Sequence, residues 1–317
     1  MRSLLSSLSS ISHLLILVKS HLTGKRLMLL QSSKKESNMN LPTIDLCHWL
    51  VSAARYWCTS WPALLWTIWN VIISCVLQHG FRRNRSCETQ LLEFTHELFN
   101  NLAEGKQTDI LILDFAKAFD RVNHSLLVHK LSYYGIQGVL NHWIADFLLE
   151  RRQAVVLNGE RSDFISVDSG VPQGSVLGPC LFLVYINDMP DLLTSPVRLF
   201  ADDTAAYNVV ASIDDQKHLQ HNLNQLAEWE KRWDMLFHPS KCVSIPVTRR
   251  KTILQPTYHL HGHTLEVVRS VKYLGVTLCS DLNWSEHINT VCSKANKTVG
   301  FVRRNLKISS RRIKETA

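Results

Sequence analysis

Three aspartates carry the chemistry that this sequence could perform. Asp202 and Asp203 stand side by side after the apolar run 197–201, and a second strand-like run, 204–210, follows at once. The pattern predicts strand, tight turn, strand, with both acids at the turn. Two adjacent like charges cost free energy unless a cation sits between them. In a reactive site that cation is a divalent metal, Mg²⁺ above all, because it takes hard oxygen ligands. On a plain surface the same dipeptide is a solvated turn. A third acid separates the two readings. The run Asp109-Ile110-Leu111-Ile112-Leu113-Asp114 is an apolar strand ending in a carboxylate. If that strand neighbours the Asp202-Asp203 hairpin, Asp114 and Asp202 can clamp one pair of metal ions, ~3.5–4 Å apart, for an in-line phosphoryl displacement.

Other elements must hold these acids in place. Between them lies Ser169-Gly170-Val171-Pro172-Gln173-Gly174-Ser175-Val176-Leu177-Gly178-Pro179, whose Pro and Gly permit a tight loop. Ser175 is placed to cap the apolar helix that follows. Apolar residues at helical spacing predict helices over 88–102, 124–134, 139–149 and 216–237. The last carries Leu219, Leu223, Leu226, Trp229, Trp233 and Leu236 and is expected to back the sheet. Residues 153–157 and 164–167, around Asn158-Gly159, read as a hairpin. His259, His261 and His263 alternate as metal ligands on one strand face would. Gly262 favours a hairpin turn there instead.

With these residues in view, the chain resembles the reverse transcriptases of non-LTR (LINE-like) retrotransposons. The segments LDFAKAFDRVNH, SGVPQGSVLGP and RLFADD are similar to motifs A, B and C of that family. The likeness runs from about Gln78 to the C-terminus. It implies an α+β right-hand polymerase fold: fingers, palm and partial thumb, with an antiparallel palm sheet and helices on one face. It implies RNA-directed DNA polymerase activity, transferring deoxynucleotides from dNTPs to a primer 3′-OH. Asp114, Asp202 and Asp203 would hold two Mg²⁺ ions, with Mn²⁺ as an alternative. The partners implied are an RNA template and a DNA primer.

The resemblance also assigns roles residue by residue. Phe115, Phe119, Gln173 and Gly174 would line the dNTP pocket, with Phe119 as a gate under the ribose or else a core residue. Arg82 and Arg85, in the fingers-like box 78–87, would lie over the triphosphate or template; otherwise they form a solvated basic turn. Arg151, Arg152 and Gln153 match an element near the template. His238-Pro239-Ser240-Lys241-Cys242 is similar to motif D, which makes Lys241 a general acid for pyrophosphate or else a surface lysine. His238 stands where the family carries Asn. Residues 271–278 resemble the primer grip, and the basic tail from Trp284 resembles the start of a thumb that continues past Ala317. Phe119 and Ala201 separate the chain from viral RNA-dependent RNA polymerases, which carry a polar residue and Gly at those points. A catalytically inactive retroelement remnant that at most binds nucleic acid is the competing reading.

Composition agrees with an anionic partner: 35 Lys and Arg against 27 Asp and Glu give a formal charge of +8. The 8 cysteines include no CxxC pair, so neither a zinc site nor a disulfide-linked partner is expected. Scattered single cysteines suit a reduced intracellular compartment, nuclear or cytoplasmic.

Three segments are expected: 1–77, 78–245 with fingers and palm, and 246–317 with the primer-grip hairpin and partial thumb. The first does not fit the rest. Its apolar run 61–77 is broken by Pro62, Thr67, Asn70 and Ser74, so no membrane span is expected. Trp has one codon, so the crowd Trp57, Trp61, Trp66 and Trp69 fixes a shifted reading. In that shifted reading, Trp57-Cys58 encodes Val, Trp61-Pro62 Ala, Trp66-Thr67 Asp and Trp69-Asn70 Glu. Residues 1–77 are therefore expected to be an aberrant extension, disordered or translated out of frame.

Overall fold

Strand β1, Thr108–Leu113, is a six-residue run with five residues buried. It lies at the centre of a five-stranded sheet, which explains why it lacks a polar face. The computed structural model describes residues 76–305. Almost all of the 1–77 stretch, and the basic residues past 305, lie outside the described residues.

The sheet forms from β1, β6 (Val197–Phe200), β7 (Asp203–Val209), β8 (Val243–Val247) and β11 (Glu266–Val267), in the order β11-β8-β1-β7-β6. Its pairs are antiparallel except β11 with β8, which run parallel.

Both faces of the sheet are covered. Leu111, Leu113, Val197, Leu199 and Ala206 face one core. That core is closed by α2 (His124–Tyr133), α3 (Gly138–Leu148), α4 (Leu177–Ile186) and α5 (Ile213–Trp233). Ile110, Ala205, Tyr207, Ile245 and Val247 face a second core with Phe94, Leu98 and Leu102 of α1, Cys87–Ala103. Tyr273 and Leu278 of the hairpin β12 (Ser270–Tyr273) and β13 (Val276–Cys279) close that side. The expectation of helices on one face alone is thus corrected. Strand alternation sends neighbouring apolar residues to opposite faces, so both faces need cover.

Local chemistry sets the helix ends. In α1, Ser86 and Thr89 form a reciprocal capping box. In α2, the Asn123 side chain accepts from the amides of Ser125 and Leu126. Helix α5 starts earlier than the apolar spacing indicates, because Ser212 and Asp215 cap it. It also stops earlier, at left-handed Asp234. Leu236 and Phe237 are thereby released to pair with the segment after β1: Ala116 N donates to Leu236 O at 2.8 Å, and Phe115 bridges to Phe237.

The small elements follow their turns. Strands β3 (Val156–Leu157) and β4 (Glu160–Arg161) pair around Asn158-Gly159. Strands β2 (Arg152–Gln153) and β5 (Ile165–Ser166) extend that hairpin. His261-Gly262 turns β9 (His259–Leu260) into β10 (His263–Thr264), with φ of 52° and 74°. His261 leaves the strand face to reach Glu230, its Nε2 2.8 Å from Oε2. The last element, α6 (Ser285–Asn305), has no buried residue. No helix among the described residues is long and apolar enough to cross a membrane.

Candidate active site

Strand register brings the acids together. Leu113 of β1 pairs with Thr204 of β7, so the next step along each strand sets Asp114 across from Asp203. Alternation then decides the face. Ile110 lies toward the second core, so Asp114 shares its side of the sheet; Ala205 and Tyr207 place Asp203 on that same side. The β6–β7 hairpin closes with Phe200 opposite Asp203, leaving Ala201 and Asp202 as a two-residue loop. Ala201 has φ of 53° and Asp202 has a negative φ, as in a type II′ turn. A residue with a Cβ is strained there, and the site holds it in place from outside.

The electrostatics follow from crowding. Burial first, then the charges of Asp202 and Asp114, push the Asp203 carboxyl up to about 6. Burial and the Asp114 charge raise Asp202 as well. Asp203 is exposed at the turn, so its inner side carries the desolvation. Lys241 Nζ stands 3.0 Å from Asp114 Oδ2, an atom shielded from solvent that accepts no well-aligned hydrogen bond. His238 N donates to Asp114 O at 2.8 Å and fixes the Lys241 turn beside β1. The donor set suits a divalent cation: hard carboxylate oxygens, mutually repelling, one of them paired only with the Lys241 ammonium. Among the described residues, no three His, Cys, Asp or Glu side chains are already gathered closely enough to hold a metal ion.

The loop after β5 is stitched to the turn after β1. Gly170 N donates to Val122 O at 2.7 Å and Val171 N to Phe119 O at 2.8 Å. Gly170 has φ of 83°, and a Cβ there would lie 2.7 Å from Asp120 Cα. Gln173 Nε2 donates to Asp120 Oδ1 at 3.0 Å, so it faces the motif A turn from an exposed position. Gly174, with φ of 80°, has open space around it. Ser175 Oγ accepts from Gly178 N at 2.9 Å, but it stands one residue before the N-cap of α4, which is Val176 and has no side-chain cap bond. Arg151 Nη1 donates to Gly170 O at 3.0 Å, while Arg152 and Gln153 are exposed on β2.

Two aromatic positions differ in kind. Phe119 is partly buried, stacked on Phe182 at 4.4 Å and edge-on to Phe81 at 6.2 Å. Phe115 is 4 % exposed and stacked on Phe237 at 4.1 Å. Its side chain therefore belongs to the core and not to a nucleotide pocket, because alternation turns it away from Asp114. The arginines also divide. Arg85 Nη1 donates to Glu93 Oε1 at 2.8 Å, and Arg198 Nη1 binds the other Glu93 oxygen at 2.9 Å. Arg85 is thus tied to α1 instead of standing ready for phosphate. Arg82 Nη1 reaches Gln78 O at 3.4 Å.

Sequence reasoning missed how closely the 78–80 segment lies on the acidic turn. Gly80 has no Cβ because one there would lie 2.2 Å from Ala201 N. Gln78 is 2 % exposed and bonds both backbone groups of Ala201. In the sequence Gln78 stands two residues before Gly80, a spacing that gives no sign of a partner 123 residues away.

The sheet and its acidic corner define a polymerase palm, and comparison with known proteins places the chain within one group of these. Residues 64–278 match the family model for reverse transcriptase (RNA-dependent DNA polymerase), starting inside the 1–77 stretch. The chain belongs to the reverse transcriptase family. It is 31 % identical over 226 residues to the RNA-directed DNA polymerase from mobile element jockey of Drosophila melanogaster, covering 68 % of this chain and 24 % of that protein. It is 29 % identical over 234 residues to the probable RNA-directed DNA polymerase from transposon X-element of the same organism, covering 70 % of this chain and 25 % of the relative. The chain thus spans about a quarter of the length of these curated relatives. Among solved structures it resembles telomerase from Candida tropicalis, in complex with a fragment of telomeric RNA, with a TM-score of 0.51 at 12 % identity, over 77 % of this chain and 39 % of that one. The fold is the right-hand polymerase fold.

Proposed function

We propose that this chain is the RNA-directed DNA polymerase module of a non-LTR retrotransposon, adding deoxynucleotides to a primer 3′-OH on an RNA template. The observation that carries this reading is the β1–β7 register, which sets Asp114 across from Asp203 on one face, beside Asp202. Family membership and the jockey and X-element relatives support it. The telomerase bound to RNA is a precedent, in the same fold, for an RNA partner.

In this reading Asp114, Asp202 and Asp203 would hold two Mg²⁺ ions. When bound, these ions supply activation of the 3′-OH and charge neutralisation at the triphosphate. The chain's own residues do the rest. The Gln173-Gly174 loop shapes the nucleotide side of the pocket, held to Asp120. Lys241, whose Nζ lies 3.0 Å from Asp114 Oδ2 at the edge of the site, would serve as the general acid that gives its proton to the leaving pyrophosphate. Formal charge of +8 favours binding to the nucleic-acid backbone. The working compartment is intracellular.

Primer extension on an RNA template with Mg²⁺ tests the proposal. Extension by the wild-type chain that Asp202→Ala removes would establish it. Nucleic-acid binding with no extension, also when the chain is joined to flanking sequence of its relatives, would favour the inactive remnant instead.

Phe119 has a sharper expectation. Its ring rests on Phe182 and ends the turn after Asp114, where it would lie beneath the ribose. A 2′-OH pressed against that face finds no hydrogen-bond partner. Phe119→Val is expected to admit ribonucleotides far better while dNTP use falls modestly. Competitive rNTP and dNTP incorporation measures this. An unchanged preference with a lowered melting temperature would make Phe119 a core residue only.

A further inference from the structure

The segment ahead of α1 touches the acidic turn at one place, and the contact is specific. Gln78 Oε1 accepts from Ala201 N at 2.8 Å and from Gly80 N at 2.7 Å. Gln78 Nε2 donates to Ala201 O at 3.2 Å. One amide therefore satisfies both backbone groups of the residue whose φ is 53°. The backbone around it is laced to the same strand: Leu199 N donates to Leu77 O at 3.1 Å, and His79 N donates to Leu199 O at 2.9 Å. Gly80 lies against Ala201 so closely that a Cβ would not fit.

Ala201 immediately precedes Asp202, and its left-handed conformation sets where Asp202 and Asp203 point. A bare two-residue turn with alanine in that conformation is strained and would relax. From this geometry we propose that Gln78 is a positioning residue: its side-chain amide clamps Ala201 and so orients the Asp202-Asp203 pair toward Asp114. The clamp stands on the hydrogen bonds alone; its consequence for metal binding rests on the polymerase reading. Gln78 touches no reacting atom in this role and acts through the turn.

Amide hydrogen exchange in the full chain, together with Mn²⁺ binding followed by electron paramagnetic resonance, tests it. Gln78→Leu leaves two buried N–H groups and one carbonyl without their partner, so amides of residues 199–204 should exchange roughly tenfold faster or more. Strand β1 and helix α5 should keep their protection. Gln78→Glu retains the two accepted bonds and loses the donated one, so its turn should fall between wild type and Gln78→Leu. Thr89→Val serves as the control: Thr89 holds His79 and the start of α1 but not Ala201. It should loosen α1 and leave the turn alone. Mn²⁺ affinity should weaken by roughly tenfold in Gln78→Leu, as for other residues that orient ligands without binding the metal.

Unchanged turn exchange in Gln78→Leu would overturn the clamp. So would an equal rise in every segment of both Gln78 variants; a faster turn with unaltered Mn²⁺ affinity, in protein whose Mn²⁺ binding depends on Asp202, would overturn the orienting role. Should Gln78→Leu fail to fold, Gln78→Glu decides alone: a rise confined to the turn upholds the clamp, and no rise overturns it. A protected wild-type turn without Asp202-dependent Mn²⁺ binding would count against the polymerase reading and leave the clamp standing.

Discussion

Asp202→Ala is expected to abolish nucleotide addition while the protein stays folded. In the proposed two-metal reading, removing one carboxylate would leave a metal short of a ligand, a loss of several kcal/mol in the transition state, or on the order of a thousandfold in rate. The same change relieves repulsion among Asp114, Asp202 and Asp203, so the melting temperature of the metal-free protein should hold or rise. Single-turnover extension and a thermal melt on one preparation check both halves. Extension at wild-type rate by a folded Asp202→Ala protein would refute the assignment.

The same crowding makes stability depend on pH in a stated direction. Burial and its two neighbours lift Asp203 from an ordinary value of 3.8 to about 6 in the folded protein. Between those values the folded state binds more protons than the unfolded state, so stability falls as pH rises. Metal-free protein should therefore melt at a higher temperature near the lower value than above the higher one. Asp203→Asn should flatten that slope. Solvent at the exposed side of Asp203 screens part of the effect.

Gly80→Ala is the second large effect, and it acts on the fold. The new Cβ would lie 2.2 Å from Ala201 N and 2.9 Å from both Ala201 Cα and Phe200 C. All three are backbone atoms of the hairpin that carries the acids, so no flexible side chain can give way. Either the 78–80 segment lifts off or the turn is pushed out of place. Overpacking of this kind costs roughly 3 kcal/mol or more. Chemical denaturation should show that loss, and extension should fall with it. Gly174→Ala gives the contrast, because that glycine has φ of 80° but empty space around it. The strain of a left-handed alanine alone costs about 1–2 kcal/mol. Equal losses for the two variants would show that contact with Ala201 is unimportant.

Much of this architecture could be read along the chain. Apolar spacing marked α1, α2, α3 and α5, the apolar run after Ser175 marked α4, and the Asn158-Gly159 pair marked its hairpin, because helices and turns are set by neighbours in sequence. Asp114 at the end of an apolar strand and Asp202-Asp203 at a hairpin turn were legible for the same reason. The order of apolar runs and acids along the chain marked these strand ends. The ends of α5 were not legible from spacing, since Ser212 and Asp234 override the apolar periodicity.

The tertiary structure decided which residues share a face and which partners they meet. The Leu113–Thr204 pairing put Asp114 across from Asp203; a slip of one residue would have turned one acid to the opposite side. Phe115 and Asp114 are adjacent in sequence, yet one fills the core and the other the site. Arg85 is as basic as Arg82, yet Glu93 holds it against α1. Gln78 meets Ala201 across a separation of 123 residues. Hydrogen bonds between such distant groups leave no periodicity in the sequence, because only the packing of the whole chain brings them within reach.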